Sequence, residues 1–122
     1  MSLEWKLKRS NQDIMNIIVN ILETRMGDPR MSFVTITSVD ISPDMRNAKV
    51  YYSIYSLTDE EKEQAKTVFE NARGFIQKEF SSRIKIKFTP KLNFIYDDSP
   101  EQVDYLNRLF KRLNDERRPE QD

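Results

Sequence analysis

Apolar side chains recur at Ile14, Ile17, Ile18, Ile21 and Leu22, the i, i+3, i+4, i+7 spacing that lines one stripe of an amphipathic helix. The stripe predicts a first helix from Gln12 to Met26. Gly27 is expected to end it in a left-handed cap, and Pro29 to push Asp28 out of helical geometry. The period then falls to two. Met31 to Ile41 is rich in Val, Ile, Thr and Phe, with a phase shift between Ile36 and Val39 that points to a bulge. From Asn47 to Tyr55 the alternation is clean, with Ala48, Val50, Tyr52 and Ile54 on one face and Lys49, Tyr51, Ser53 and Tyr55 on the other. Ser42, Pro43, Asp44 and Met45 supply the turn between the two strands.

Thr58 with Glu61 three residues later reads as a capping box, and Ala65, Val68, Phe69, Ala72 and Ile76 mark the buried stripe of the helix that follows. Gly74 falls inside this stripe. A helical glycine costs roughly 1 kcal/mol relative to alanine, so the pattern predicts a kink joining two short helices. Ile84, Ile86 and Phe88 then alternate with Arg83, Lys85 and Lys87 as a strand would, up to Pro90. Leu92, Phe94 and Tyr96 are the inward face of a further strand. Ser99, Pro100 and Gln102 read as cap, first helical residue and capping partner of a last helix carried by Val103, Leu106, Phe110 and Leu113. The order helix, strand, strand, kinked helix pair, strand, helix predicts an α+β sandwich with helices on one face of a small sheet.

The 122 residues suit one domain. Cys 0 and His 0 exclude disulfides, thiol nucleophiles, Cys/His zinc sites and imidazole catalysis. Met1 to Arg9 has no signal-peptide core and no apolar run approaches a membrane span, so a cytoplasmic protein is expected. The net charge of +0 leaves no global field to draw the chain onto nucleic acid. Any such attraction is local.

One stretch supplies it. Arg73, Lys78, Arg83, Lys85, Lys87 and Lys91 stand against the single acid Glu79. Cations alternating with apolar residues could line up along a phosphate backbone, or simply solvate a strand edge. Gly74 has two readings as well: close packing of two helices, or a helix start whose backbone donors meet phosphate. Phe33, Phe69, Phe75, Phe80, Phe88 and Phe94 fall mostly at core phases, while Tyr51 and Tyr55 share the outer phase with Lys49 and could stack on bases. Asp97, Asp98, Glu101 and Asp104 could suggest a metal or acid/base site, but acids at a helix start are favourable without a ligand. At the two ends, Lys6, Lys8 and Arg9, then Lys111, Arg112, Arg117 and Arg118, extend the positive surface or solvate the termini.

Several separated motifs, in order, resemble the ribosome-binding factor A family. They are Asp28-Pro29-Arg30 with Val34-Thr35 and Val39, the block from Ser42 to Tyr51, Ala72-Arg73-Gly74-Phe75-Ile76, and the run from Pro90 to Ser99. The resemblance implies a type II KH-like fold, a three-stranded mixed sheet in which an Ala-x-Gly kink replaces the Gly-x-x-Gly loop. It implies a non-enzymatic, monomeric assembly factor without cofactor or metal, whose partners are the free 30S subunit, its precursors and 16S rRNA, acting in late rRNA maturation and in the cold. Carried over by position, Ala72, Arg73 and Gly74 are the RNA-binding kink and Lys78, Arg83, Lys85, Lys87 and Lys91 the basic patch. Arg46, Lys49, Lys6, Lys8 and Arg9 are additional expected contacts. The domain is expected over residues 9–113, between an extension at 1–8 and a polar tail at 114–122. A scaffolding domain whose basic face meets an acidic protein is the alternative.

Overall fold

The computed structural model describes residues 2–27, 29–55, 58–85 and 89–117, with backbone alone at 30, 32, 101, 116 and 117. Helix α1 spans Leu3–Arg25 and is capped by Ser2, whose hydroxyl accepts from the Trp5 amide at 3.2 Å. It therefore starts well before Gln12. The early turns hold because Leu7 packs on the core and Arg9 stands over the Trp5 ring at 5.4 Å, one turn away. At the other end the expected left-handed glycine is not used: Met26 is already extended, and Gly27 does not have a positive φ. The chain leaves the helix directly toward a short 3-10 turn, Pro29–Phe33.

Strands β1, Val34–Ile41, and β2, Asn47–Ile54, pair antiparallel, and β3, Lys91–Tyr96, adds to β2 in parallel. The sheet is mixed, in the order β1-β2-β3. Its register slips between Ile36, opposite Tyr52, and Ser38, opposite Tyr51. This bulge absorbs Thr37 and lets Ile36, Val39 and Ile41 all face inward despite their spacing. The turn closes through Asp44, which accepts from the Ser42 hydroxyl at 2.6 Å and the Arg46 amide at 3.1 Å, with Met45 left-handed at φ 62.

Helices α2, Asp59–Asn71, and α3, Arg73–Arg83, cross from β2 to β3 over the face that α1 also covers. Thr58 caps α2 as expected, accepting from the Glu61 amide at 3.1 Å. Between the layers lie Ile14, Ile18, Ile21, Val50, Tyr52, Phe69, Ile76 and Phe80, all buried. Phe33 and Phe75 are not core residues but are 36% and 40% exposed. The strand-like alternation is not seen over Arg83, Ile84 and Lys85. Helix α3 continues through Arg83 because its guanidinium is held by Asn20 at 2.8 Å and Glu79 at 3.5 Å, and Ile84 ends the helix in an extended conformation. Residues 86–88, with Lys87, lie outside the described residues.

Helix α4, Ser99–Arg117, runs further than the boundary expected at 114. Its opening acceptor is Asp98, one residue before the expected Ser99: the Asp98 carbonyl takes the Gln102 amide at 3.0 Å and its carboxylate takes the Gln102 side chain at 3.0 Å. Of its described side chains only that of Leu109 is even partly buried. Val103, Leu106, Phe110 and Leu113 form an exposed apolar stripe. No helix among the described residues is long and apolar enough to cross a membrane.

Candidate nucleic-acid interface

The kink is made by Ala72, the one residue between α2 and α3, at φ −87 and ψ −4. Its amide is shared between the carbonyls of Val68 at 3.1 Å and Phe69 at 3.0 Å, and its own carbonyl accepts from Ile76 at 2.9 Å. No side chain caps the start of α3. A helix start of this kind presents amide donors and the positive end of the dipole to an anion. Arg73 adds a cation there, its Nε donating to the Glu70 carbonyl at 3.3 Å.

Gly74 follows, and the structure bears on one of its two readings, the close packing of two helices. Its φ is not positive, and a Cβ built on it would meet nothing within 4 Å. Neither backbone geometry nor helix packing within the chain requires glycine at this position. What the missing side chain leaves open is the mouth of a groove of about 690 Å³ between α3 and β3, bordered by Arg73, Gly74, Gln77, Ser81, Lys91 and Asn93.

Gln77, which sequence periodicity does not single out, organises the groove floor. Its Oε1 accepts the Leu92 amide at 2.8 Å and its Nε2 donates to the Pro90 carbonyl at 3.3 Å. The amides of Lys91 and Asp97 donate to Arg46 and Tyr52 on the β2 side, so odd positions of β3 face the sheet and even positions face the open edge. Gln77 therefore plugs the edge at Leu92. By the same parity the N–H and C=O of Phe94, which lines the groove, point outward where a base or a phosphate could meet them.

The expected cations separate into groups. Arg73 and Lys91 border the groove, and exposed Lys78 lies one turn beyond Gly74 on the same face of α3. Arg83 is turned away, fixed to α1 by Asn20. Lys85 is exposed past the end of α3. Lys49 stands on the opposite, outer face of the sheet beside Asn93, while Arg46 belongs to the β1–β2 turn and gives its carbonyl to the Lys91 amide at 2.9 Å. Lys6 and Lys8 are exposed on α1, and Arg9 is over Trp5. Two further cations, Lys62 and Lys66, sit 5.5 Å and 4.9 Å from the Tyr96 ring at the far end of β3. Their signal in the sequence is hidden, because helix α2 places them over a strand thirty residues later.

Asp97 and Asp98, after β3, are engaged in folding, while the side chain of Glu101 lies outside the described ones. Asp97 accepts from the Thr37 hydroxyl at 2.8 Å and from the Ser99 amide at 2.9 Å, tying the bulge of β1 to the start of α4. Hydrogen bonds from Ser99, first its side chain and then its amide, with Thr37 third, hold the Asp97 carboxyl below its ordinary value of 3.8. A depressed carboxylate contributes stability above the unfolded value and loses it as pH falls through the folded one. Thermal midpoints of the native chain are thus expected to drop below about pH 4 more steeply than those of Asp97→Asn, which starts lower at neutral pH. Parallel midpoint curves would remove the linkage.

The chain matches the family model for Ribosome-binding factor A over residues 6–110. It is 40% identical over 114 residues to Ribosome-binding factor A of Pediococcus pentosaceus, which covers 93% of this chain and 98% of that one. Its fold is similar to the crystal structure of ribosome-binding factor A from Thermus thermophilus, with a TM-score of 0.59 at 18% identity over 74% of this chain and 93% of that one. A homology model of Thermus thermophilus ribosome binding factor A, as fitted into the cryo-electron microscopy map of its 30S complex, superposes with a TM-score of 0.56 at 17% identity, covering 72% and 91% of the two chains.

Proposed function

The chain belongs to the ribosome-binding factor A family, and on that premise we propose that it binds the immature 30S subunit by holding a single-stranded segment of 16S rRNA in the groove between α3 and β3. The observation that carries this reading is Gly74: a glycine with open space above it, at an uncapped helix start beside Arg73 and Lys91. The Thermus thermophilus ribosome binding factor A fitted as a homology model into the map of a 30S complex supports the choice of partner. In this reading the protein performs no chemistry. Arg73, Lys78 and Lys91 neutralise phosphates, the start of α3 fixes one phosphate, and the edge of β3 meets the base. Binding favours one conformation of the RNA during late maturation, including in the cold, and the protein then leaves.

The working unit contains residues 9–113 and acts as a monomer in the cytoplasm, with helix α1 beginning before it at Leu3 and helix α4 continuing past it to Arg117. With net charge +0, these few cations carry the attraction, so the affinity is expected to fall with salt along a shallow slope, set by few phosphates. Co-sedimentation with 30S subunits tests the assignment. Arg73→Glu with Lys91→Glu is expected to weaken binding about a hundredfold, two contacts at roughly tenfold each. Arg83→Glu is the wrong probe, since it disturbs the seam between α1 and α3. Native co-sedimentation of the double variant would sink the groove as the contact, and binding that follows an acidic protein rather than RNA would favour the scaffolding alternative.

A further inference from the structure

The sheet has a second face that no helix of the α1–α3 layer covers. On it the register sets Asn47 beside Lys91, Lys49 beside Asn93 and Tyr51 beside Ile95. We propose that the RNA strand held in the groove continues over the β3 edge onto this outer face, where Lys49 meets a phosphate and Tyr51 supports a base. The inference rests on the groove being an RNA site and extends the footprint beyond it.

Continuity carries the inference. Asn93 borders both the groove and a separate depression of about 480 Å³ on the outer face, which Asn47, Lys49, Asp40 and Ile95 also line. Lys91 borders the groove and pairs with Asn47 of the depression. A strand leaving Gly74 therefore has an unbroken path past Lys91 and Asn93 to Lys49. Lys49 and Lys91 are diagonal neighbours on adjacent parallel strands, about 8 Å apart at the backbone from the usual strand spacing and rise, within reach of successive phosphates of an extended strand. The amides of Asn47 and Asn93 offer donors and acceptors to base edges. Tyr51, half-buried beside Ile95, offers a ring face, and stacking on it would be tolerant of sequence. The occupant is RNA and not a protein because Tyr51, Ile95 and, at the end of β2, Tyr55 are scattered among hydroxyls, amides, two lysines and Asp40, too few for the apolar centre of a protein interface. Asp40 lies directly across from Lys49 and partly offsets it. It gives the test a variant of opposite sign.

Single-stranded RNAs of about four nucleotides, the span a KH-type groove clamps, and of about ten are titrated by fluorescence anisotropy at low salt. Lys49→Glu and Tyr51→Ala are each expected to weaken the longer RNA about tenfold and leave the shorter one unchanged. Asp40→Asn is expected to tighten the longer RNA several-fold. Thermal midpoints show that the variants stay folded, and Lys49→Glu, on an exposed side chain, guards against an unfolded Tyr51→Ala. Native affinity of both variants for the longer RNA, while Arg73→Glu weakens both RNAs, would overturn the outer-face path and spare the groove. Equal losses for short and long RNA would also overturn it, and a native chain that binds neither would overturn the groove as well.

Discussion

Gly74→Ala is expected to leave the domain at least as stable as the native chain while weakening its binding to small subunits about tenfold. The two effects have opposite signs for separate reasons. In the free protein the added methyl meets nothing within 4 Å, so no packing is lost. Alanine in a helix is worth up to about 1 kcal/mol over glycine, and the backbone here needs no positive φ. In the complex the methyl sits at the mouth of the groove, between the start of α3 and whatever approaches it. A phosphate held off by a methyl group loses its short contact to the helix start, and one such hydrogen bond to a charged group is worth about 1.5–3 kcal/mol. Gly74→Val enlarges the obstacle and is expected to reduce binding further. Chemical denaturation and subunit co-sedimentation on the same preparations separate the two quantities. A variant that gains stability and keeps native affinity would mean that no partner approaches the kink closely.

Phe69→Ala is expected to cost about 3–5 kcal/mol and to leave the domain partly unfolded at physiological temperature. Phe69 is 0% exposed, its ring centroid 4.2 Å from that of Tyr52 and 5.3 Å from that of Phe94 in an edge-on contact. It joins α2 to both β2 and β3, so deletion leaves a cavity at the junction of the two layers. A domain of this size has about 5–15 kcal/mol in total. Because Phe94 also lines the groove, the same cavity loosens the strand that forms the groove's edge. Urea denaturation monitored by circular dichroism gives the loss directly, and a midpoint within error of the native one would show that the aromatic cluster is not central to the core.

The features that can be seen in the chain beforehand are those that disturb a local period. The bulge at Thr37 shows as a phase shift between Ile36 and Val39, and the kink at Ala72 as a glycine inside an apolar stripe. Thr58 announces its helix because a cap acts across three residues. Where the deciding partner is remote, the local pattern misleads. Arg83 begins a strand-like alternation in the sequence, yet it stays helical because Asn20, on another helix, holds it. Gln77 is an ordinary polar residue of α3 until β3 returns fifteen positions later to need an edge partner at Leu92. The charged opening of α1 has too few apolar residues for a stripe and depends on the Ser2 cap and the pair of Trp5 and Arg9. Resemblance to a family marked the kink as an expected RNA contact, but which lysines join it is a property of the sheet and helix layers together.

Helix α4 gives the molecule two clocks. Its exposed side chains do not share in the cooperative core, so its helicity rests on 19 residues and the Asp98 start, near the length at which a lone helix is marginal in water. Helix–coil relaxation of such a segment takes about 0.1–1 μs, whereas opening the layer around Phe69 requires breaking the core and is slower by orders of magnitude. Amide protons of α4 are therefore expected to exchange with solvent at close to the rate of a free peptide, while those of β2 wait for the whole domain to open.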